Sequence, residues 1–253
     1  MSLPTPYYAH AGVTIFHGDV LDVLPALSGI GAVVTDPPYS SGGVFRGDRT
    51  AKTLTKYIST DSSGQHSLTD FGGDTRDQRG YFAWSALWMT GAFHASIPGA
   101  VIASFIDWRQ LPVLTDAFQS GGWVWRGVAA WSKKFGRPRA GGFSNACEFV
   151  TWGSKGGLIE HESYPPGIFE FSPISTEEKQ HIAEKPLPVM GWILRAVPPG
   201  AVVLDPFMGS GTTLQAAKNT GHAVIGIDAD ERCCETAAKR LGQEVLFGAE
   251  AQP

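Results

Sequence analysis

Cysteine is scarce in this chain, and what there is follows no pattern. Cys147, Cys233 and Cys234 are the only three in 253 residues, and they supply neither zinc-ligand spacing nor an even disulfide set. A small odd count suits a reducing compartment. Long apolar runs are missing too. The longest, GAVIASFI at 99–106, is far short of the roughly 20 residues that a membrane-spanning helix needs. The first residues, MSLPTPYYAH, lack a basic start followed by an apolar stretch, so no secretory signal is expected and a cytoplasmic location is. There is no excess of positive charge. Twenty basic against 24 acidic residues give −4, which excludes a globally basic binder of polyanions but not a protein with one local basic surface. His94, His161 and His222 are scattered, so no metal site is expected. Repeats and heptads are absent.

Hydrophobic residues make up 43% of the chain, enough for a sizeable core, and the length predicts one α/β domain over 1–253. Apolar runs at 13–16 and 32–35 read as strands with a helix at 20–27 between them. Residues 40–79 are rich in Ser, Gly, Thr and charge, and are expected to form a mobile insertion. Order resumes with helical spacing at 81–96, a buried strand at 100–105, a helix at 111–120, a strand at 124–131 and a short one at 149–152. A loop follows at 153–175, then a helix over 176–195 broken near Pro186 and Pro188. The C-terminal part alternates strand 202–204, helix 212–220, strand 223–227 and helix 231–241. Strands alternating with helices predict a mostly parallel sheet covered on both faces.

Residues 202–213 read VVLDPFMGSGTT: a strand ending in Asp205 runs into Gly209 and Gly211, which open a helix. Glycine lets a backbone approach a ligand closely, and a helix N-terminus offers free N–H groups. The next strand ends in Asp228, where Rossmann-like folds hold ribose hydroxyls. The turn has neither the third glycine of a dinucleotide cradle nor the lysine of a triphosphate loop. Acidic Asp205 beside it would repel phosphate and suits a cationic ligand. S-adenosylmethionine, with its sulfonium and ammonium, fits those constraints.

Asp36-Pro37-Pro38-Tyr39 stands at the carboxyl end of a predicted strand, where open α/β sheets place their ligands. Two prolines remove two donors, leaving the Pro37 carbonyl free to accept. With the Asp36 carboxylate it could accept both hydrogens of an exocyclic amino group. Held so, the nitrogen's lone pair is freed from the base ring for attack on a methyl group. Tyr39 offers a face on which a flipped-out base can stack.

These motifs, in this order, resemble the β group of amino-methylating DNA methyltransferases, whose catalytic tetrapeptide precedes the cofactor turn. IFHGDVLDVL (15–24), FSNACEFVTWGSKG (143–156), HIAEKP (181–186), DPFMGSGTT (205–213) and ERCCETAAKRL (231–241) extend the resemblance over most of the chain. It implies a Rossmann-like class I S-adenosylmethionine-dependent methyltransferase fold with circularly permuted motif order. The sheet would be mostly parallel and seven-stranded, with one antiparallel strand. It also implies that Asp36, Pro37, Pro38 and Tyr39 serve the target base. Asp19, Asp36, Lys185, Pro186, Asp205, Pro206, Phe207, Gly209, Ser210, Gly211, Thr212 and Asp228 would serve the cofactor, Lys185 at its methionine end. Asp at the first catalytic position resembles N6-adenine enzymes, whereas N4-cytosine members more often carry Ser. C5-cytosine chemistry needs a Pro-Cys nucleophile, and none occurs.

Between Asp116 and Glu148 no acidic residue occurs, while Arg126, Lys133, Lys134, Arg137 and Arg139 do. Lys133, Lys134, Arg137 and Arg139 are therefore expected to meet DNA phosphates, joined by Arg46 and Arg49 from the insertion. Loops at about 134–146 and 157–175 are expected to read the target. The leading expectation is N6-adenine methylation of double-stranded DNA after base flipping. N4-cytosine methylation and a non-catalytic DNA-binding module are the alternatives. A homodimer is compatible with the family, and one chain says nothing of a restriction partner.

Overall fold

The computed structural model describes residues 2–39, 76–137, 140–172 and 185–247, with the backbone alone at 135–137 and 243–247. The expected insertion at 40–79 falls almost wholly outside these residues, as do Arg46, Arg49 and Arg139.

Nine strands among the described residues form one sheet: β1 (Tyr8–His10), β2 (Val13–His17), β3 (Ile30–Thr35), β4 (Ser96–Ile106), β5 (Val124–Arg137), β6 (Asn145–Ser154), β7 (Ile168–Glu170), β8 (Val203–Asp205) and β9 (Val224–Asp228). Their spatial order is β1-β2-β9-β8-β3-β4-β6-β5-β7. From β2 to β5 the sheet has seven strands with one antiparallel member, β6. That is the arrangement the resemblance implies. Two three-residue strands extend the edges: β1 antiparallel to β2, and β7 parallel to β5. They are additions to the sequence reading, too short to show alternation. In this sheet the late pair β8 and β9 lies between the early strands β2 and β3, so the permuted motif order closes into one continuous sheet.

The helices are α1 (Val20–Val23), α2 (Gln78–Ala95), α3 (Leu111–Ser120), α4 (Leu187–Leu194), α5 (Thr212–Asn219) and α6 (Glu231–Phe247). The apolar run IGAVVT of β3 is buried along its whole length, as a central parallel strand covered on both faces must be. Its side chains divide the core. Ala32 and Val34 pack with α4, α5 and α6, while Val33 packs with α1, α2 and α3.

Local signals explain the boundaries. Asp77 caps α2, its carboxylate accepting from the Gly80 N–H at 2.7 Å, and Asp19 caps α1 from Leu21 at 2.8 Å. The expected helix at 20–27 is α1 followed by a 3₁₀ turn, Leu24–Ala26, because Pro25 interrupts it. At the expected break near Pro186 and Pro188, α4 begins with Pro186 as its N-cap and Pro188 in its first turn, and the expected helical stretch at 176–184 lies outside the described residues. A first-turn proline loses no hydrogen bond. The C-terminal end of α2 is closed from the sheet: Lys155 Nζ donates to the carbonyls of Phe93 and Ser96, both at 2.7 Å. No described helix is long and apolar enough to cross a membrane.

Candidate active site

The parallel strands β2, β9, β8, β3 and β4 all end at one edge of the sheet, so the residues just beyond them gather there. Asp19 follows β2, Asp228 ends β9, Asp205 ends β8, and Asp36 follows β3. The sheet alone thus brings together motifs far apart in sequence.

The glycine turn between β8 and α5 is held from three sides. Asp205 is 1% exposed; its Oδ1 accepts from the Thr35 hydroxyl at 2.7 Å and from the Phe207 N–H at 3.1 Å. Thr213 donates to the same carboxylate. The charge expected to meet a cationic ligand is therefore turned inward, to join β3 to the turn. Asp228 Oδ2 accepts from the Gly209 N–H at 2.9 Å. From α6, Arg240 reaches the Ser210 carbonyl at 3.4 Å and the Thr212 hydroxyl at 3.2 Å. Gly211 (φ +83°) is the N-cap of α5 and has no side chain to cap with, so the helix start is bare backbone. Gly209 has φ +52°, and a Cβ there would project into open space. Phe207 packs its ring 5.2 Å from those of Trp84 and Trp88 on α2.

Burial pushes Asp205 up to about 6, against the hydrogen bonds from Thr213, Thr35 and Phe207 that act to lower it. A carboxyl raised in the folded state binds more protons there than in the unfolded chain. Its contribution to stability is therefore complete below about pH 4 and lost as pH rises through about 6. Asp205→Asn should remove that slope. In urea melts, the variant is expected to gain stability relative to the parent on going from pH 4.5 to 7.5, by on the order of 1–3 kcal/mol. An unchanged difference between the two pH values would refute the assignment.

Beyond β3, Pro37 is buried while Asp36, Pro38 and Tyr39 are half-buried. Asp36 Oδ1 accepts from the Tyr39 hydroxyl. Its Oδ2 lies 2.5 Å from Lys185 Nζ, which reaches in from the residue before the α4 N-cap. Lys185 Nζ is also 3.4 Å from Glu148 Oε2, and Glu148 Oε1 is 2.5 Å from Lys133 Nζ. The ammonium of Lys185 lies 5.4 Å from the Tyr39 ring centre and 5.0 Å from that of Phe105. Asp36, Lys185, Glu148 and Lys133 thus form a row of four charges alternating in sign.

Their protonation follows from that chain. Burial raises Asp36, Lys185 lowers it, and Glu148 raises it again; the net direction is up. Burial, with Asp36 beside it, puts Tyr39 well above 10, so its hydroxyl stays a donor. Burial would lower Lys185, but Asp36 and Glu148 outweigh it and keep the ammonium charged. For Glu148 burial is likewise outweighed, by Lys185 and Lys133, and the carboxylate stays ionised.

The sequence alone singles out neither Glu148 nor Lys133 for this cluster. Lys133, expected at DNA phosphates, has its ammonium beside the Glu148 carboxylate. Lys134 is 3.5 Å from Glu170 with both side chains about half exposed, where β5 leaves register with β6 between Ser132 and Arg137. Arg137 pairs through its backbone with Asn145 at the end of the hairpin.

Comparison with known proteins agrees with this geometry. The chain is 26% identical to the type II methyltransferase M.ScaI of Streptomyces caespitosus, over 96% of this chain and 86% of that protein. Among solved structures it superposes on an M1.HpyAVI–SAM complex with a TM-score of 0.63 at 24% identity, covering 90% of this chain and 98% of the other. It superposes on the cytosine-N4-specific PvuII DNA methyltransferase with a TM-score of 0.70 at 17% identity, covering 93% and 88%. Residues 30–239 match the DNA methylase model of the N6/N4 type, and the chain belongs to that family of S-adenosylmethionine-dependent DNA methyltransferases.

Proposed function

We propose that this protein methylates the exocyclic N6 of adenine in double-stranded DNA, acting on a base flipped out of the duplex. The observation that carries the reading is the placement of Asp36-Pro37-Pro38-Tyr39 at the end of β3, directly beside β8 and its glycine turn. The turn fits an adenosine-type cofactor. Gly209 presents backbone at positive φ with open space beyond it, α5 begins without a side-chain cap, and Asp228 offers a carboxylate. Phe207, Gly209, Ser210, Gly211, Thr212, Asp228 and Asp19 would hold the cofactor, with Pro206 and the inward-facing Asp205 shaping the turn. When bound, S-adenosylmethionine supplies an electrophilic methyl group to an attacking amino nitrogen.

The chain's own residues prepare that nitrogen. Asp36 accepts one amino hydrogen and the Pro37 carbonyl the other, drawing the lone pair out of the ring. Asp36 then takes the proton that the methylated nitrogen must lose, and its raised basicity suits that task. The Tyr39 ring gives the base a stacking face, and its hydroxyl orients Asp36. Among the basic residues whose side chains are described, Lys134 on the β5–β6 hairpin is the contact proposed for DNA phosphates.

The test is to incubate the purified chain with S-adenosylmethionine and unmethylated duplex DNA, then digest and resolve the nucleosides by mass spectrometry. N6-methyladenine is the expected product. N4-methylcytosine would keep the chemistry and overturn the base assignment. No methylated nucleoside, with cofactor bound, would overturn the reading.

A further inference from the structure

The Lys185 ammonium, only 11% exposed, sits 2.5 Å from Asp36 and 3.4 Å from Glu148. This raises a chemical question, because a buried ammonium given wholly to one carboxylate makes that carboxylate a poor base. Such a loss would defeat Asp36 as the proposed acceptor of the amino proton. Glu148 lies near the start of β6, opposite Trp131 of β5 in the sheet register. It competes for the same ammonium and is itself steadied by Lys133 at 2.5 Å.

We propose that Glu148 is a positioning residue: by sharing the Lys185 ammonium, it fixes that ammonium beside Asp36 while keeping Asp36 basic enough to receive the target amino proton. The inference rests on the function proposed above and adds to it a residue with no direct contact to the base. Among the described residues, the titratable groups facing Asp36 are few. They are Lys185 before α4, Glu148 on β6, Tyr39 in its own turn with Tyr81 of α2 behind it, and Asp205 on β8. Glu148 contributes negative charge to Asp36 and Lys185 positive charge, while Asp205 is itself raised by Asp36. Removing the Glu148 charge therefore hands Lys185 to Asp36 and lowers its basicity. Removing Lys133 does the reverse, since Glu148 then draws Lys185 more strongly.

The first readout needs neither cofactor nor DNA. The Asp36 carboxyl is titrated by carbon-13 NMR in the full chain, with Asp36→Asn assigning the resonance. Glu148→Gln should move the midpoint to lower pH, and Lys133→Met should move it to higher pH. With saturating S-adenosylmethionine and unmethylated bacterial genomic DNA, Glu148→Gln should slow single-turnover methylation by roughly 10–100-fold. The acid limb of its pH profile should move down with the carboxyl midpoint, while cofactor affinity stays within about threefold. Midpoints that stay put in both variants would overturn the proposal. So would a loss expressed only as weaker cofactor binding, which would assign Lys185 to the cofactor instead. A parent protein that leaves DNA unmethylated would overturn the proposed function alone, because the carboxyl titration is read without it. Should Glu148→Gln not fold, the opposite shift in Lys133→Met still decides the matter.

Discussion

Replacing Asp36 by alanine is expected to lower the single-turnover methylation rate by at least roughly 10³-fold while leaving cofactor affinity within about threefold. The size follows from what is removed. In the proposed mechanism Asp36 is the acceptor at the end of β3 and the base for the amino proton, a role worth about 10²–10⁴ in rate. The glycine turn, the proposed cofactor cradle, lies on the neighbouring strand and takes its support from Asp205, Asp228 and Arg240 rather than from Asp36. Lys185 loses one partner but keeps Glu148, so the variant should fold with a modest loss of stability rather than the several kcal/mol of a fully orphaned buried charge. Asp36→Asn keeps the shape and one acceptor but cannot take the proton, and is expected to retain at most a few per cent of the rate. Single-turnover assays with tritiated cofactor, paired with calorimetric binding, separate the two effects. An alanine variant within tenfold of the parent, making the same product, would refute the mechanism.

Gly211→Val should act on the other half of the site. At φ +83° any side chain is strained, and a β-branched one most of all, at a cost of at least about 1 kcal/mol. The added Cβ would also stand 2.9 Å from the Ala237 Cβ on α6, and overpacking of this kind costs about 1–3 kcal/mol. The combined loss of about 2–4 kcal/mol should appear as a lower urea midpoint. Because the displaced backbone is the proposed cofactor cradle, cofactor binding should weaken by roughly 100-fold or more. Gly211→Ala should show the same pattern at about half the size. Should Gly211→Val bind the cofactor within threefold of the parent, the turn is not where the cofactor sits.

How much of this is legible in the sequence depends on whether the signal is local. The β3 run ending in Asp-Pro-Pro-Tyr, and the strand, glycine turn and helix from Val203 to Asn219, are contiguous patterns and lie where the sequence places them. The antiparallel strand among seven follows from the resemblance. What escapes is set by contacts across the sheet. Glu148 meets Lys185 and, through it, Asp36 only because β6 runs antiparallel beside β4 and begins at the edge where β3 ends; no spacing in the chain announces that. Asp205 looks like a ligand carboxylate because it flanks the turn, and its burial against Thr35 requires knowing that β8 pairs with β3. Lys133 reads as one of a run of basic residues, and its ion pair depends on the β5–β6 register. The edge strands β1 and β7 have three residues each and carry too little pattern to read. β7 in particular is a strand only because its backbone lies beside β5.

The place of β8 and β9 in the sheet also has a kinetic consequence. Val13 of β2 pairs with Val224 of β9, across most of the chain's length, and β3 likewise waits for β8 to cover one of its edges. Closing such contacts requires nearly the whole chain, and pairings of long sequence separation are slow to form. The block of β3 to β6 with α2 and α3 can assemble first, leaving the apolar β3 with an open edge until the C-terminal strands arrive. On the ribosome and in refolding alike, that edge is the surface most exposed to wrong partners. The glycine turn between β8 and α5, the proposed cofactor cradle, is then expected to be among the last parts of the molecule to take shape.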